Sequence, residues 1–319
     1  MPQTWGRTAT KRALKPVIFH LDQHIERLSR IQARQTHSDT RVDVRALRAE
    51  VAELRTELAK SHEQFGSLSY SVELLLGSTG RAKSRVVDEA LITQLAGQVQ
   101  EATGLGDARA SVVQAYRLLF ELELRGVGRI AGGVKNVLGK LTTTPLLEPP
   151  NGEILEIGTL YGIFAGGMAR QLDRIGLDHQ ITIVDPFTGG QLQRGKVRSD
   201  ASGSPVTETV ARANVRLAGI SNDRLRVVQG YSEDPAIQES IADRQYGVMI
   251  IDGDHSAEGV GVDLRLAEKV VAPGAIVVID DYGDNKWAGV KLATTAHLAG
   301  ETRFELVGVV ATSAFLRAR

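Results

Sequence analysis

Cysteine is absent from the 319 residues, which excludes disulfides, thiolate metal sites such as zinc fingers, and a cysteine nucleophile. An excess of charge of either sign is missing too. The 38 basic and 38 acidic residues cancel, so the chain offers no broad basic field for nucleic acid and no acidic field for basic partners. No apolar run approaches the roughly 20 residues that span a bilayer. The piece Pro16 to Phe19, behind the basic residues Arg7, Lys11, Arg12 and Lys15, is too short for a signal-peptide core. Internal repeats and low-complexity tracts are lacking. These absences are read as a cytoplasmic protein with a basic, solvated start; contact of that start with an anionic membrane surface is the lesser reading. What is present, 42% hydrophobic and 24% charged residues, suffices for one sizeable core and an extra module.

Between Val44 and Leu75 apolar residues fall at alternating spacings of three and four: Val44, Leu47, Val51, Leu54, Leu58, Phe65, Leu68, Val72 and Leu75, with Ser61 as the break. A period of 3.5 held over this length marks a helix whose stripe needs a partner. The expectation is a coiled coil that makes the protein a homo-oligomer, and Val at the first-type positions with Leu at the second-type positions favours a parallel pair. Packing of the stripe on the chain's own body is the alternative. An earlier stretch, Leu21, Ile25, Leu28 and Ile31, has helical spacing and is interrupted by Thr36 to Asp39. Gly77-Ser78-Thr79-Gly80 ends the coiled coil. Two amphipathic helices are expected next, over Val86 to Val99 and Ala108 to Leu124. Gly126, Gly128, Gly132, Gly133 and Gly139 with Pro145, Pro149 and Pro150 then suggest a connector. The expected division is an arm and coiled coil over 1–80, a helical cover and linker over 81–150, and a second domain over 151–319.

From Asn151 onward short apolar runs alternate with helical patterns, which predicts an α/β domain with a parallel sheet covered on both faces. Strands are expected at Glu153 to Ile157, Gln180 to Val184, Leu225 to Gln229, Gly247 to Ile251 and Ala275 to Ile279. Phe304 to Val310 and Ser313 to Leu316 are read as a terminal hairpin. Helices are expected at Ala165 to Ile175, Thr207 to Leu217, Pro235 to Ala242, Gly259 to Val270 and Trp287 to Leu298.

In such a sheet a ligand sits beyond the carboxyl ends of the strands. Those ends carry Glu156, Gly158 and Gly162 after the first strand, Asp185 after the second, and Gly230-Tyr231-Ser232 after the third. The fourth gives Asp252-Gly253-Asp254-His255, and the fifth gives Asp280-Asp281. A glycine turn followed about thirty residues later by a strand-terminal acid suits a nucleoside cofactor whose ribose the acid meets. Gly158 and Gly162 are expected to let that cofactor approach the backbone. Four carboxylates at neighbouring strand mouths, Asp252, Asp254, Asp280 and Asp281, would repel one another without a cation or protons. A divalent metal with oxygen ligands accounts for them.

Glu156 to Gly162, Val184-Asp185-Pro186-Phe187, Ile250 to Ser256, and Pro273-Gly274-Ala275 through Ile279-Asp280-Asp281-Tyr282 resemble the class I S-adenosylmethionine-dependent methyltransferases. The likeness is greatest to the branch of macrocin-type sugar O-methyltransferases and cephalosporin-hydroxylase-like proteins, and it covers Asn151 to about Arg319. Leu160 departs from the pattern, standing where a glycine often does. The resemblance implies a Rossmann-like seven-stranded methyltransferase sheet with an antiparallel last strand, S-adenosyl-L-methionine as cofactor, and Mg2+ held by Asp252, Asp280 and Asp281. It places Glu156 and Gly158 along the methionine and ribose of the cofactor, Asp185 on the ribose hydroxyls and Ser232 near the adenine. The expected activity is Mg2+-dependent O-methylation of a hydroxyl on a sugar, glycan or small natural product. A metal clamping two acceptor oxygens would acidify the hydroxyl. His255, three residues from Asp252, is the candidate general base, with Asp254 orienting it or acting as a water-mediated ligand. The loop Thr188 to Pro205, with Arg194, Lys196 and Arg198, is placed to cover the acceptor. Two other readings remain: a nicotinamide-dependent oxidoreductase, disfavoured by the missing third glycine of the fingerprint, and a non-catalytic coiled-coil scaffold with a methyltransferase-like fold.

Overall fold

The computed structural model describes residues 20–27, 40–76, 85–193 and 196–319. The basic residues Arg7 to Lys15, Leu28 and Ile31, the Gly77 to Gly80 stop and Arg194 lie outside the described residues. The chain divides into two units, one to Leu74 and one from Leu75.

In the first unit residues 20–27 form a helix, α1. The second helix, α2, is Thr40–Leu76, 37 residues long, as the heptad spacing predicts. Its stripe residues Leu54, Phe65, Leu68 and Leu75 are exposed.

The second unit is built on a seven-stranded sheet of order β5-β2-β1-β6-β7-β9-β8. Its strands are β1 (Gly152–Ile157), β2 (His179–Asp185), β5 (Leu225–Gln229), β6 (Tyr246–Ile251), β7 (Val271–Ile279), β8 (Phe304–Val310) and β9 (Ser313–Ala318). The first five run parallel. β9 lies antiparallel between β7 and β8, the expected terminal hairpin. All seven predicted strands form because buried parallel strands read as short runs of Ile, Val and Leu. The helices are α3 (Glu89–Thr103), α4 (Arg109–Arg125), α5 (Val134–Leu146), α6 (Ile163–Asp173), α7 (Glu208–Leu217), α8 (Pro235–Ile241), α9 (Ala257–Val270) and α10 (Ala288–Leu298).

Alternate strand residues build two cores, as the pleat requires. Ile154, Ile183, Ile250 and Val278 face α3 to α7, with Leu95, Leu119, Leu138, Met168 and Val215. Leu155, Ile157, Ile251 and Ile279 face α9 and α10 through Leu264 and Val290.

The expected connector before Asn151 is corrected: its centre is the helix α5. Nearly every residue of α5 is buried, including Asn136, Lys140 and Thr142 to Thr144. A helix buried all round has no polar face and therefore no 3.6-residue pattern. Gly139, a poor helix residue, is there for space, since a Cβ would stand 3.0 Å from Val310 Cγ1. The approach to α5 is fixed by the buried Arg85. Its guanidinium pairs with Glu123 at 2.7 Å and donates to the carbonyl of Ile130 at 2.6 Å.

The expected open loop Thr188 to Pro205 also differs, since it contains a hairpin of β3 (Gln191–Gln193) and β4 (Lys196–Arg198). The hairpin is tied at its base by paired backbone bonds between Gly189 and Val206, each 3.0 Å. The ion pair of Arg129 with Asp200 at 2.7 Å holds it again, with neither side chain more than 11% exposed.

Candidate active site

The parallel ladder continues one residue past the strand ends and lays the site out as a row. Gly158 N–H donates to Val184 O, Asp252 N–H to Ile157 O, Asp280 N–H to Ile251 O and Gly230 N–H to Asp185 O, at 2.9 to 3.1 Å. Register pairs Ile157 with Ile251 and Ile251 with Ile279, so Asp252 and Asp280 are lateral neighbours about one strand spacing apart. Alternation then sends Glu156, Asp185, Asp252 and Asp280 to the face of the sheet that α5 covers. The order of strands reverses between β1 and β6, the place where open α/β sheets bind ligands. A cavity of about 1310 Å³ opens there, lined by every predicted site residue except Gly162. It is large enough for a nucleoside cofactor together with an acceptor.

On the β1 side, Asp185 organises the turn. Its Oδ2 accepts from the N–H of Thr159 at 2.8 Å and of Leu160 at 3.2 Å, and its Oδ1 accepts from the N–H of Phe187 at 2.8 Å. Burial raises the Asp185 carboxyl above its ordinary range, against the pull of those backbone donors. One lone pair remains on Oδ1. Glu156 is buried and accepts from the Thr159 hydroxyl; burial, opposed by that bond and by Lys140, pushes it up to about 7.

The glycines have a different reason from the one expected. Gly158 has φ +80°, and a Cβ there would stand 2.3 Å from the Asp252 carbonyl oxygen. Gly162 has φ +72°, and its Cβ would stand 2.8 Å from Ala211 O. Both are required by the turn and by neighbouring backbone. Leu160 takes up the left-handed conformation, φ +57°, where glycine is the unstrained choice. Ser232 lines the cavity beyond β5, and its carbonyl accepts from Gln238 Nε2 at 2.8 Å.

The acidic end is where the structure adds most. Lys140 projects from α5 and is 2% exposed; its Nζ lies 2.8 Å from Asp280 Oδ2 and 3.4 Å from Asp252 Oδ2. Asn136, one helical turn earlier, donates from Nδ2 to Asp280 Oδ1 at 2.6 Å, and Ser313 Oγ bonds the same oxygen at 2.9 Å. Both oxygens of Asp280 are therefore engaged by protein donors. Burial works against the Lys140 ammonium, but the charges of Asp280 and Asp252 outweigh it and hold the group above the usual lysine range. Burial would likewise raise Asp280, yet Lys140, Asp252 and Asn136 together hold it below the usual carboxylate range. Burial, then the charge of Asp280, pushes Asp252 well above that range.

The expected Mg2+ ligation by Asp252, Asp280 and Asp281 does not fit this arrangement. The two aligned carboxylates share an ammonium, and Asp281 turns to a different partner. Among the described residues no group of three or more His, Asp or Glu side chains is placed to hold a metal ion.

That partner is His255, whose Nε2 is 3.2 Å from Asp281 Oδ2 and 3.7 Å from Asp252 Oδ1. Its ring lies against Trp287, centroids 4.5 Å apart at 31°. Asp281 has φ +55°, a conformation in which a non-glycine residue is strained by about 1 kcal/mol or more. Asp254, expected beside His255, instead accepts from Ser256 N–H at 2.9 Å and Ser256 Oγ at 2.8 Å. Ser256 in turn caps α9 through Gly259 N–H, so Asp254 holds the turn into the helix. Of the basic loop residues, Arg198 lines the cavity.

Lys140, Asn136, Ser313 and Trp287 were not among the residues expected here. A single lysine inside the apolar run Val137 to Leu147 was the available signal, since an interior lysine must find a carboxylate.

Comparison with known proteins gives the following. Residues 155–282 match a family model described as a methyltransferase domain. No curated protein sequence matches the chain. Among solved structures, the chain is similar to cofactor-bound Rv0187 from MTB, at 18% identity over 66% of this chain and 90% of that one, TM-score 0.45. It is similar to CalS11, a TDP-rhamnose 3'-O-methyltransferase of calicheamicin biosynthesis, at 18% identity over 73% and 96%, TM-score 0.42. TomG from Streptomyces achromogenes, an O-methyltransferase of tomaymycin synthesis in complex with SAM, is similar at 16% identity over 73% and 91%, TM-score 0.40.

Proposed function

We propose that the chain is an S-adenosylmethionine-dependent O-methyltransferase acting on a hydroxyl of a sugar, glycan or small polyhydroxylated natural product. The observation that carries this reading is the pairing of His255 with Asp281 in the wall of the same cavity that holds Glu156, Asp185 and the Gly158 to Leu160 turn. The matched methyltransferase-domain segment, residues 155–282, contains all of these residues.

The cavity fits the cofactor. The Gly158 to Leu160 turn lines the cavity, Asp185 has one lone pair on Oδ1 for a ribose hydroxyl, and Tyr231 and Ser232 border the place for a base. When bound, S-adenosylmethionine supplies a methyl group already activated by its sulfonium. The chain's own task is to hold the acceptor in line and remove its proton. His255 is suited to that. With its Nε2–H donated to Asp281, its lone pair lies on Nδ1, and Nδ1 takes the hydroxyl proton as the acceptor oxygen takes the methyl. Asp281 keeps the ring oriented and balances the imidazolium that results. Asp280 is engaged at both oxygens by Lys140, Asn136 and Ser313, and the proton transfer uses His255 and Asp281. The β3–β4 hairpin covers the acceptor side through Arg198.

The same reading extends to the first unit. We infer that the exposed stripe of α2 pairs with a second copy of the chain and makes the protein a homodimer.

The test is calorimetric titration of S-adenosylmethionine, with NAD as control, followed by methyl transfer to a panel of sugars and glycosides. His255→Ala is expected to lower turnover by about 10²- to 10⁴-fold while cofactor affinity is retained. Unchanged turnover removes His255 as the base. Binding of NAD in place of S-adenosylmethionine overturns the methyltransferase reading.

A further inference from the structure

We propose that the Lys140 ammonium is a built-in cation, filling the place between Asp252 and Asp280 that a divalent ion would take, so that the site works without a metal. This rests on the reading of the cavity as a methyltransferase site.

Asp252 and Asp280 follow adjacent parallel strands in register and point to one face, so the pair needs a cation, a proton or both between them. In this chain the positive group comes from α5. Lys140 Nζ is 2.8 Å from Asp280, the spacing of a charge-assisted hydrogen bond, and 3.4 Å from Asp252, a looser ion pair; both are longer than the approximately 2.0–2.1 Å that Mg2+ demands. The lysine is not a surface group that happens to reach in. It is 2% exposed, its helix is buried around it, and its ammonium also lies 4.7 Å from the centre of the Phe164 ring.

The rest of the donor set is committed in the same way. Asp280 Oδ1 accepts from Asn136 Nδ2, and the single proton of the Ser313 hydroxyl is shared between Asp280 Oδ1 at 2.9 Å and Asn136 Oδ1 at 2.8 Å. A metal at this place would have to displace the Lys140 ammonium and break the bonds that hold Asp280. Asp281, the third acid, is joined to His255. Asp252 and Asp280 thus share one ammonium, whose single charge balances Asp280 while burial holds Asp252 toward its protonated form, and Asp281 is left to orient the histidine. Proton removal from the acceptor falls to His255 alone. Lys140 is accordingly a positioning residue: it holds Asp252, which is 25% exposed and borders the cavity.

The experiment reads Mn2+ binding to the full-length protein by electron paramagnetic resonance, with S-adenosylmethionine binding measured in parallel in EDTA. The wild-type protein is expected to leave Mn2+ free up to about 1 mM, the weak end of oxygen-ligand sites. Lys140→Met keeps the stem and removes the charge, and is expected to take up one Mn2+ per chain at least roughly tenfold more tightly. If that variant does not fold, Lys140→Gln, which retains N–H donors for Asp280, takes its place. Stoichiometric Mn2+ on the wild-type protein, lost in Asp280→Asn, overturns the proposal, as does a folded Lys140 variant that gains no Mn2+. Failure of S-adenosylmethionine to bind overturns the functional reading instead, and the Mn2+ result stands apart from it.

Discussion

Two helices of this protein, α2 and α5, are opposites. The first is long and charged, with an apolar stripe repeating every 3.5 residues. The second is short, buried on nearly all sides, and carries glycine, three consecutive threonines and a proline. Periodicity is a record of one-sided burial, so α2 is legible from its letters and α5 is not. The helix that leaves no pattern is the one that enters the site. α2 shows its whole physical logic on its surface, whereas α5 hides Asn136, Lys140 and three threonines, and the partners of the first two lie more than a hundred residues away in the chain.

The comparison is broken most severely by removing the charge that α5 buries. Lys140→Ala leaves two carboxylates facing each other and is expected to destabilise the second unit by about 3–5 kcal/mol, the cost of breaking a buried pair. Asp280→Asn in the same chain should restore part of the loss. Denaturant unfolding of the two single variants and the double variant measures the coupling, and additive losses would show that the pair is not an energetic unit.

A somewhat smaller effect comes from pH. Glu156 rises from 4.5 to about 7 through burial, and Asp263 on α9 rises from 3.8 to about 7 through burial that the Ser232 hydroxyl partly offsets. Between about pH 4.5 and 7 the fold keeps protons that the unfolded chain has already released. The folded state binds more protons in that window, so stability falls as pH rises through it, by on the order of 3 kcal/mol per group. Glu156→Gln should lack its share of that fall. The stability difference between wild type and variant, measured from pH 4 to 8, checks the sign, and a difference that does not change with pH contradicts it.

The smallest effect on folding belongs to α2. Leu68→Ala removes an exposed apolar group and is expected to leave the second unit unchanged within about 0.5 kcal/mol, while shifting the assembly from dimer toward monomer in light scattering. A wild-type protein that is already monomeric breaks the pairing of α2.

Much of the rest was open to sequence reasoning. The seven strands follow from runs such as Ile181 to Val184 and Val248 to Ile251, bounded by turn residues. Their ends named Glu156, Asp185, Asp252, His255, Asp280 and Asp281, which the fold does bring to one cavity. That the acids need a cation or protons follows from their spacing, but the Lys140 ammonium beside Asp252 and Asp280 was not readable, because it lies in a segment without period. Roles within the cluster were equally hidden. Whether Asp254 or Asp281 orients His255 depends on which carboxylate the Ser256 cap claims first, and Gly158 is needed by the Asp252 carbonyl, a contact between β1 and β6 that spacing along the chain does not reveal.

The hairpin of β3 and β4 carries one more consequence. Its base is fastened to the body by Gly189, Val206 and the buried pair of Arg129 with Asp200, while Lys196, Val197 and Arg198 stand in the open. Foundation and tip are thus uncoupled. Under the proposed function, substitutions at Lys196, Val197 and Arg198 would meet a new acceptor without disturbing the strand ends on which the cofactor rests, so acceptor choice is adjustable at positions the fold leaves exposed.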